Sequence, residues 1–258
     1  MKNRFALLLT LSLVTLAAFC TDNNSANKDK KTFKRVYIGL SITPDVSYRY
    51  LHGNFVPSGI SQADVNGAVS YGNQHSVPEF GINAAFKIGI NLTDWLAIES
   101  GVGYSLIRYR YYSNTNYSPN VFTGNIINPA DSFQTTDKET YQYLTIPLGL
   151  RFSMGHKKVR GVIALGTNFD FLLKQTAVYQ YAYPDGRTVN GTSVLAPNNF
   201  NTFNLSPYLG IGIDCHFSRT FVLRVMPQAE IQGMKSINTP VTEYLWNAGL
   251  NLSFLFGL

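Results

Sequence analysis

Eight stretches of this chain share one pattern: large apolar side chains recur at every second residue, separated mostly by glycine, serine, alanine, asparagine or a single charge. In the last stretch Trp246, Ala248, Leu250, Leu252, Phe254 and Phe256 share one parity, and Asn247, Gly249, Asn251 and Ser253 share the other until Leu255 breaks the pattern. A β-strand sends successive side chains to opposite faces, so this alternation predicts a strand with one apolar and one small, polar face. The first stretch sets Val36, Ile38, Leu40 and Ile42 against Tyr37, Gly39, Ser41 and Thr43. The second, FGINAAFKIGI, sets Phe80, Ile82, Phe86, Ile88 and Ile90 against Gly81, Asn83, Lys87 and Gly89. The stretches beginning at Trp95, Tyr141, Val159, Asn204 and Phe221 repeat the arrangement.

The connections alternate as well. Asn91 to Asp94, Met154 to Lys158 and Ser218 to Thr220 are tight turns. The links between them are long and polar: roughly 52–79, 113–139, 172–201 and, shorter, 233–243. Short and long links in alternation predict an all-β, eight-stranded, antiparallel up-and-down barrel with every long loop at one end. Volume decides which face looks inward. An eight-stranded interior is only just wide enough to be filled by side chains. Four to six large residues from every strand would overfill it, whereas the glycine-rich parity fits. The Leu/Ile/Phe face therefore looks at lipid, and closure satisfies the backbone groups that lipid cannot. Each apolar run is about the nine to eleven residues that a tilted spanning strand needs. Aromatics gather near the run ends, as interface girdles do. Trp95, Phe152, Phe217, Phe221 and Phe256 lie by the turns, and Tyr104, Phe169, Phe171, Tyr244 and Trp246 by the long loops.

Residues 1–20, MKNRFALLLTLSLVTLAAFC, read as an export signal, with Lys2 and Arg4 ahead of an apolar run too short to span a bilayer as a helix. Two readings of its end stand: cleavage after Cys20, or acylation of Cys20. Residues 21–34 form a polar periplasmic tail, and 35–258 the outer-membrane barrel domain. Composition narrows the rest. Charged residues are 14% of the chain and hydrophobic ones 45%, and the net charge of +6 is spread out rather than gathered in a basic stripe. This argues against disorder and against nucleic acid as a partner. Cys215 is the one cysteine beyond Cys20, so there is no disulfide framework and no cysteine–histidine cluster with metal spacing.

The tail NAGLNLSF, with Asn247, Gly249, Leu252 and Phe254 at its spaced positions, is similar to the insertion signal of bacterial outer-membrane barrels, although Gly257 and Leu258 follow the last aromatic residue. Together with YQYLTIPLGLRF and the glycine-alternating SPYLGIGIDCHF, it makes residues 35–258 resemble the PorT-like family of outer-membrane β-barrels. The resemblance implies outer-membrane lipid and the barrel-insertion machinery as partners. Some members of that family are associated with protein secretion, which makes secretion components a further expected partner. No cofactor, metal or catalytic residue is implied.

The inward parity carries Lys87, Glu99, Arg151, Arg160, Asp214, Arg224 and Glu230. Buried charges require partners, and pairing of Glu99 with Lys87 or Arg151, and of Arg224 with Asp214, is expected. Such a set serves either as a salt-bridged plug or as a polar path for ions, and the narrow lumen favours the plug. His216-Phe217-Ser218 is similar to the His-x-Ser of lipid A deacylases, but the strand direction places it at the periplasmic end, away from surface lipid. His52 and His75 share a long loop without further metal ligands. The chain is thus read as a non-enzymatic outer-membrane protein acting as a structural or interaction protein, or as an accessory to secretion, through its long loops. A lipid-modifying enzyme and a narrow ion channel are the alternatives.

Overall fold

The computed structural model describes residues 35–53, 61–114, 134–155, 158–183, 186–193, 200–218, 220–237 and 241–258. The export signal, the polar tail, Cys20 and His156 lie outside them. Nine strands and one helix follow in order: β1 (Val36–Gly53), α1 (Gln62–His75), β2 (Ser76–Asn91), β3 (Leu96–Asn114), β4 (Gln134–Met154), β5 (Val159–Ala182), β6 (Thr188–Ser193), β7 (Phe203–His216), β8 (Phe221–Ile231) and β9 (Val241–Gly257). All neighbouring pairs are antiparallel. β1 pairs with both β2 and β9, and β4 pairs with β5, so every strand except β6 belongs to one closed ring of eight. β6 adds only to the loop-side end of β5, between Ala177↔Ser193 and Ala182↔Thr188.

Accessibility follows the parity. Leu40 and Ile211 are about 60% exposed (61% and 60%), while Ser47, Ser206 and Ser253 are fully enclosed. Leu148, Phe254 and Phe256 also point outward. The barrel thus wears its large apolar residues outside, as a membrane-spanning barrel does. Among the described residues no helix is long and apolar enough to cross a membrane. The turn-end aromatics form touching pairs, with ring centroids 6.1 Å apart for Trp95–Phe152 and 5.1 Å for Phe221–Phe256. On the loop side Tyr48 lies 5.7 Å from Trp246 and Phe171 5.3 Å from Phe203.

The turns are built as their residues dictate. In the β2–β3 turn the Thr93 hydroxyl accepts the Leu96 amide at 3.0 Å, and in the β7–β8 turn the Ser218 hydroxyl accepts the Phe221 amide at 2.9 Å. Gly155, with φ +99°, opens the β4–β5 turn in a conformation that side chains disfavour.

Two expectations are corrected. The links 52–79, 113–139 and 172–201 are not simply loops. The first contains α1, the second ends in strand from Gln134, and the third holds the end of β5 and all of β6. β3, β4 and β5 run 19, 21 and 24 residues, well past what a membrane crossing needs. Beyond Phe171, where pairing with β7 ends, β4 and β5 continue as a sheet with β3 and β6. Leu255, the residue that breaks the C-terminal alternation, is also explained. It points inward and packs with Tyr37, Ala97 and Val222, closing the turn end of the lumen.

Candidate functional site

The inward side chains sort into layers along the barrel axis. Nearest the turns, four charges from four strands close a ring. Arg224 on β8 donates to Asp214 on β7 at 2.7 Å and to Glu99 on β3 at 2.8 Å. Arg151 on β4 lies 3.2 Å from Glu99 and 3.4 Å from Asp214. Each cation thus touches both anions. Register explains the meeting: Asp214 is directly opposite Arg224, and Glu99 is two residues from the partner of Arg151. The Tyr37 hydroxyl adds a donor to Glu99, and Arg151 also donates to Asn91 and Ser153. A buried charge is tolerated when it is paired and hydrogen-bonded, and this ring supplies both. Tyr37 covers Gly89, whose missing side chain leaves space for the ring; a Cβ there would stand 2.1 Å from the phenol.

Above the ring lies a polar cavity of about 50 Å³, lined by Lys87, Ser105, Asn168, Tyr208, Glu230 and Asn251 among others. It is large enough for a few water molecules. Hydroxyls and amides continue the packing: Asn251 donates to Thr43 at 2.8 Å and Ser253 to Asn251 at 2.6 Å.

The loop-side layer is aromatic. Tyr109 and Tyr141 both donate to the Glu243 carboxylate at 2.8 Å, and Arg49 reaches the same carboxylate at 3.3 Å. The Arg49 guanidinium also lies over the rings of Tyr109 and Tyr111, 4.6 and 4.7 Å from their centroids, a cation–π geometry. Ile107, Tyr143, Phe200 and Leu245 complete the buried cluster. Over it sits α1, whose Val65 packs on Leu51 and Val241. Asn73 fixes the helix by accepting the Leu51 amide at 2.8 Å and donating to its carbonyl at 3.1 Å.

Of the seven charges expected in the lumen, the structure brings Glu99, Arg151, Asp214 and Arg224 into one ring. Arg160 lines a small cavity of about 20 Å³ at the turn end with Asp214 and His216. Lys87 lines the central cavity and, among the described residues, forms no direct ion pair, so the Glu99–Lys87 pair is not made. Glu230 stands apart from the ring, level with Tyr208 and Asn247. Of the insertion signal, Asn247 and Gly249 face inward, with Gly249 packed on the backbone of Pro44 and Asp45, while Leu252 and Phe254 face outward.

His216 and Ser218 lie at the turn end of β7. His75 ends α1, stacked 3.9 Å from Tyr71, and His52 lies near the end of β1. Among the described residues no group of three or more His, Cys, Asp or Glu is placed to hold a metal ion. The loop-side layer was missed by sequence reasoning, yet its signal is present. Asp45, Ser47 and Arg49 continue the inward parity of Tyr37 to Thr43. Ile107 and Tyr109 continue that of Glu99 to Ser105, and Leu245 and Glu243 continue that of Asn247 backwards.

A protein-family model agrees with this architecture. The family model described as outer membrane protein beta-barrel domain matches residues 19–226. No curated protein matches the chain. Among solved structures, Neisserial surface protein A is similar at 9% identity and a TM-score of 0.40, covering 86% of this chain and 97% of its own. The outer-membrane protein OprG of Pseudomonas aeruginosa is similar at 11% identity and a TM-score of 0.37, covering 89% and 100%.

Proposed function

Because the chain belongs to the outer membrane protein beta-barrel domain family and resides in the outer membrane as an eight-stranded barrel, we propose that it is a non-enzymatic recognition platform whose working surface is the part outside the lipid. One observation carries this reading: the lumen is filled at two levels, by the Glu99–Arg151–Asp214–Arg224 ring and by the Arg49–Glu243–tyrosine layer. A filled lumen offers no passage, so the surface outside the lipid that is able to do specific work is α1, β6 and the extended ends of β3 to β5. Recognition elements on a rigid scaffold are a common use of such extensions. The partner is a surface ligand or, as the PorT-like resemblance implies, a component of protein secretion.

Catalysis has less support. His216 sits in a cavity of about 20 Å³ against Arg160 and Asp214, too small for a lipid or peptide substrate. A deletion strain with an altered lipid A profile would reverse that judgement.

The test is a photo-crosslinker placed in intact cells at Asn190 on β6 and, separately, at Thr93 in a periplasmic turn. Discrete protein adducts from position 190 and none from 93 are the expected result. Adducts from Thr93 alone would move the working surface to the periplasmic side and overturn the platform reading.

A further inference from the structure

The outward face of the barrel carries a groove of about 670 Å³ that crosses β2, β1, β9, β8 and β7. Pro44, Pro227, Ala229 and Ala248 are the small outward side chains of its lining, with Val46 and Leu250 between them and Phe80, Leu209 and Ile211 beside them. Its small side chains leave the space, and the sheet beneath them is irregular. Proline has no N–H to give to a ladder, and regular pairing lapses beside both prolines. β1–β9 passes from Ile42↔Leu252 to Asp45↔Gly249, and β7–β8 from Gly210↔Gln228 to Ile213↔Val225. The alanines then bring only a methyl group where neighbouring outward positions bring Leu, Ile or Phe.

We propose that this groove is a specific seat for an acyl chain of an outer-leaflet lipid. The groove is continuous with the lipid-facing belt, so lipid is the medium that reaches it. It lies directly below the loop-side pair Tyr48 and Trp246, the next outward positions after Val46 and Ala248, which places it in the leaflet nearer the extracellular side. Its lining is almost wholly apolar and it opens onto the lipid-facing belt, so acyl chains rather than water are the medium that fills it. Left empty, its lining would forfeit dispersion contacts. A chain lying in it gains protein contact on three sides, where a chain on the convex remainder of the barrel gains contact on one.

The test is native mass spectrometry of the full chain released from a mild detergent. The wild type is expected to carry one lipid adduct, and Leu148→Phe, which adds bulk to the same belt outside the groove, to keep it. Ala229→Phe and Ala248→Phe, which fill the groove, are expected to lose it while retaining the circular dichroism of a folded barrel. A second measurement needs no groove variant. In Trp95→Phe protein, Trp246 fluorescence is expected to be quenched by brominated-chain phospholipid with saturation at low mole fraction. In Trp246→Phe protein, Trp95 is expected to respond in proportion to mole fraction. A wild type without an adduct, retention in both groove variants, or proportional quenching of both tryptophans would overturn the proposal.

Discussion

Arg224 has no accessible surface, yet it carries a full charge in the middle of a sheet. It is stable there because Asp214 and Glu99 take its donors on both sides, and Arg151 touches the same two carboxylates from across the lumen. The four side chains form a cycle of alternating sign, so removing one cation leaves two anions sharing the other. Breaking a buried pair by deleting one partner costs about 3–5 kcal/mol, because a charge is left uncompensated, whereas removing both partners is often near neutral. Arg224→Met is therefore expected to lower unfolding stability in lipid vesicles by roughly that amount, read from the shift in urea midpoint. Arg224→Met combined with Asp214→Leu is expected to recover a large part of the loss. A single variant within about 0.5 kcal/mol of wild type, the range of an ordinary surface change, would show that the ring does not hold the lumen together.

At the scale of elements, α1 is the piece that alternation could not reveal. Its sequence QADVNGAVSYGNQH places Val65 and Gly72 as its buried positions, too thin an apolar stripe to stand out from a polar loop. The start signal was nevertheless present: Ser61 and Asp64 form a capping box, with the Asp64 amide donating to the Ser61 hydroxyl at 3.1 Å and the Ser61 amide to the Asp64 carboxylate at 3.2 Å. The Ser61 hydroxyl, which donates to the same carboxylate at 2.7 Å, and then the Ser61 amide hold the Asp64 carboxyl below its ordinary value of 3.8. A carboxyl depressed on folding contributes stability that is present above its unfolded value and is lost as pH falls through the folded one. The first turn of α1 is therefore expected to be equally firm across neutral and mildly acid pH and to fray only below 3.8. Hydrogen exchange at the Val65 amide, corrected for intrinsic rates, checks this, and Asp64→Ala is expected to abolish the pH dependence. The strands show the converse limit. Where they face lipid, one side must be apolar, and the contrast between faces made β1 and β9 readable residue by residue. Beyond the lipid both sides meet water or partner side chains, so Gln134 to Glu139 and Thr188 to Ser193 carry no contrast. The loop-side layer was lost with them, since Arg49, Tyr109 and Glu243 sit where the outward signal fades.

For the whole molecule, the consequence of layering is that the two closures act in series. The ring spans the lumen at the turn end and the Arg49–Glu243–tyrosine layer spans it at the loop end, with the small polar cavity between them. On the reading of a filled lumen, an ion entering from either side has to pass one of these layers before it reaches the cavity, and opening one leaves the other. Planar-bilayer recordings are therefore expected to show no steady conductance for the wild type. Glu99→Ala/Arg224→Ala, which removes an anion and a cation together and leaves the net charge unchanged, is expected to remain silent as well. Tyr141→Ala/Glu243→Ala is expected to remain silent for the same reason. Only the combination of all four is expected to conduct, because only it thins both barriers. A wild type that conducts, or a ring variant that opens a pore alone, would mean that the aromatic layer does not seal the mouth. The barrel would then be a passage with one gate or none, and the recognition platform would lose the observation on which it stands.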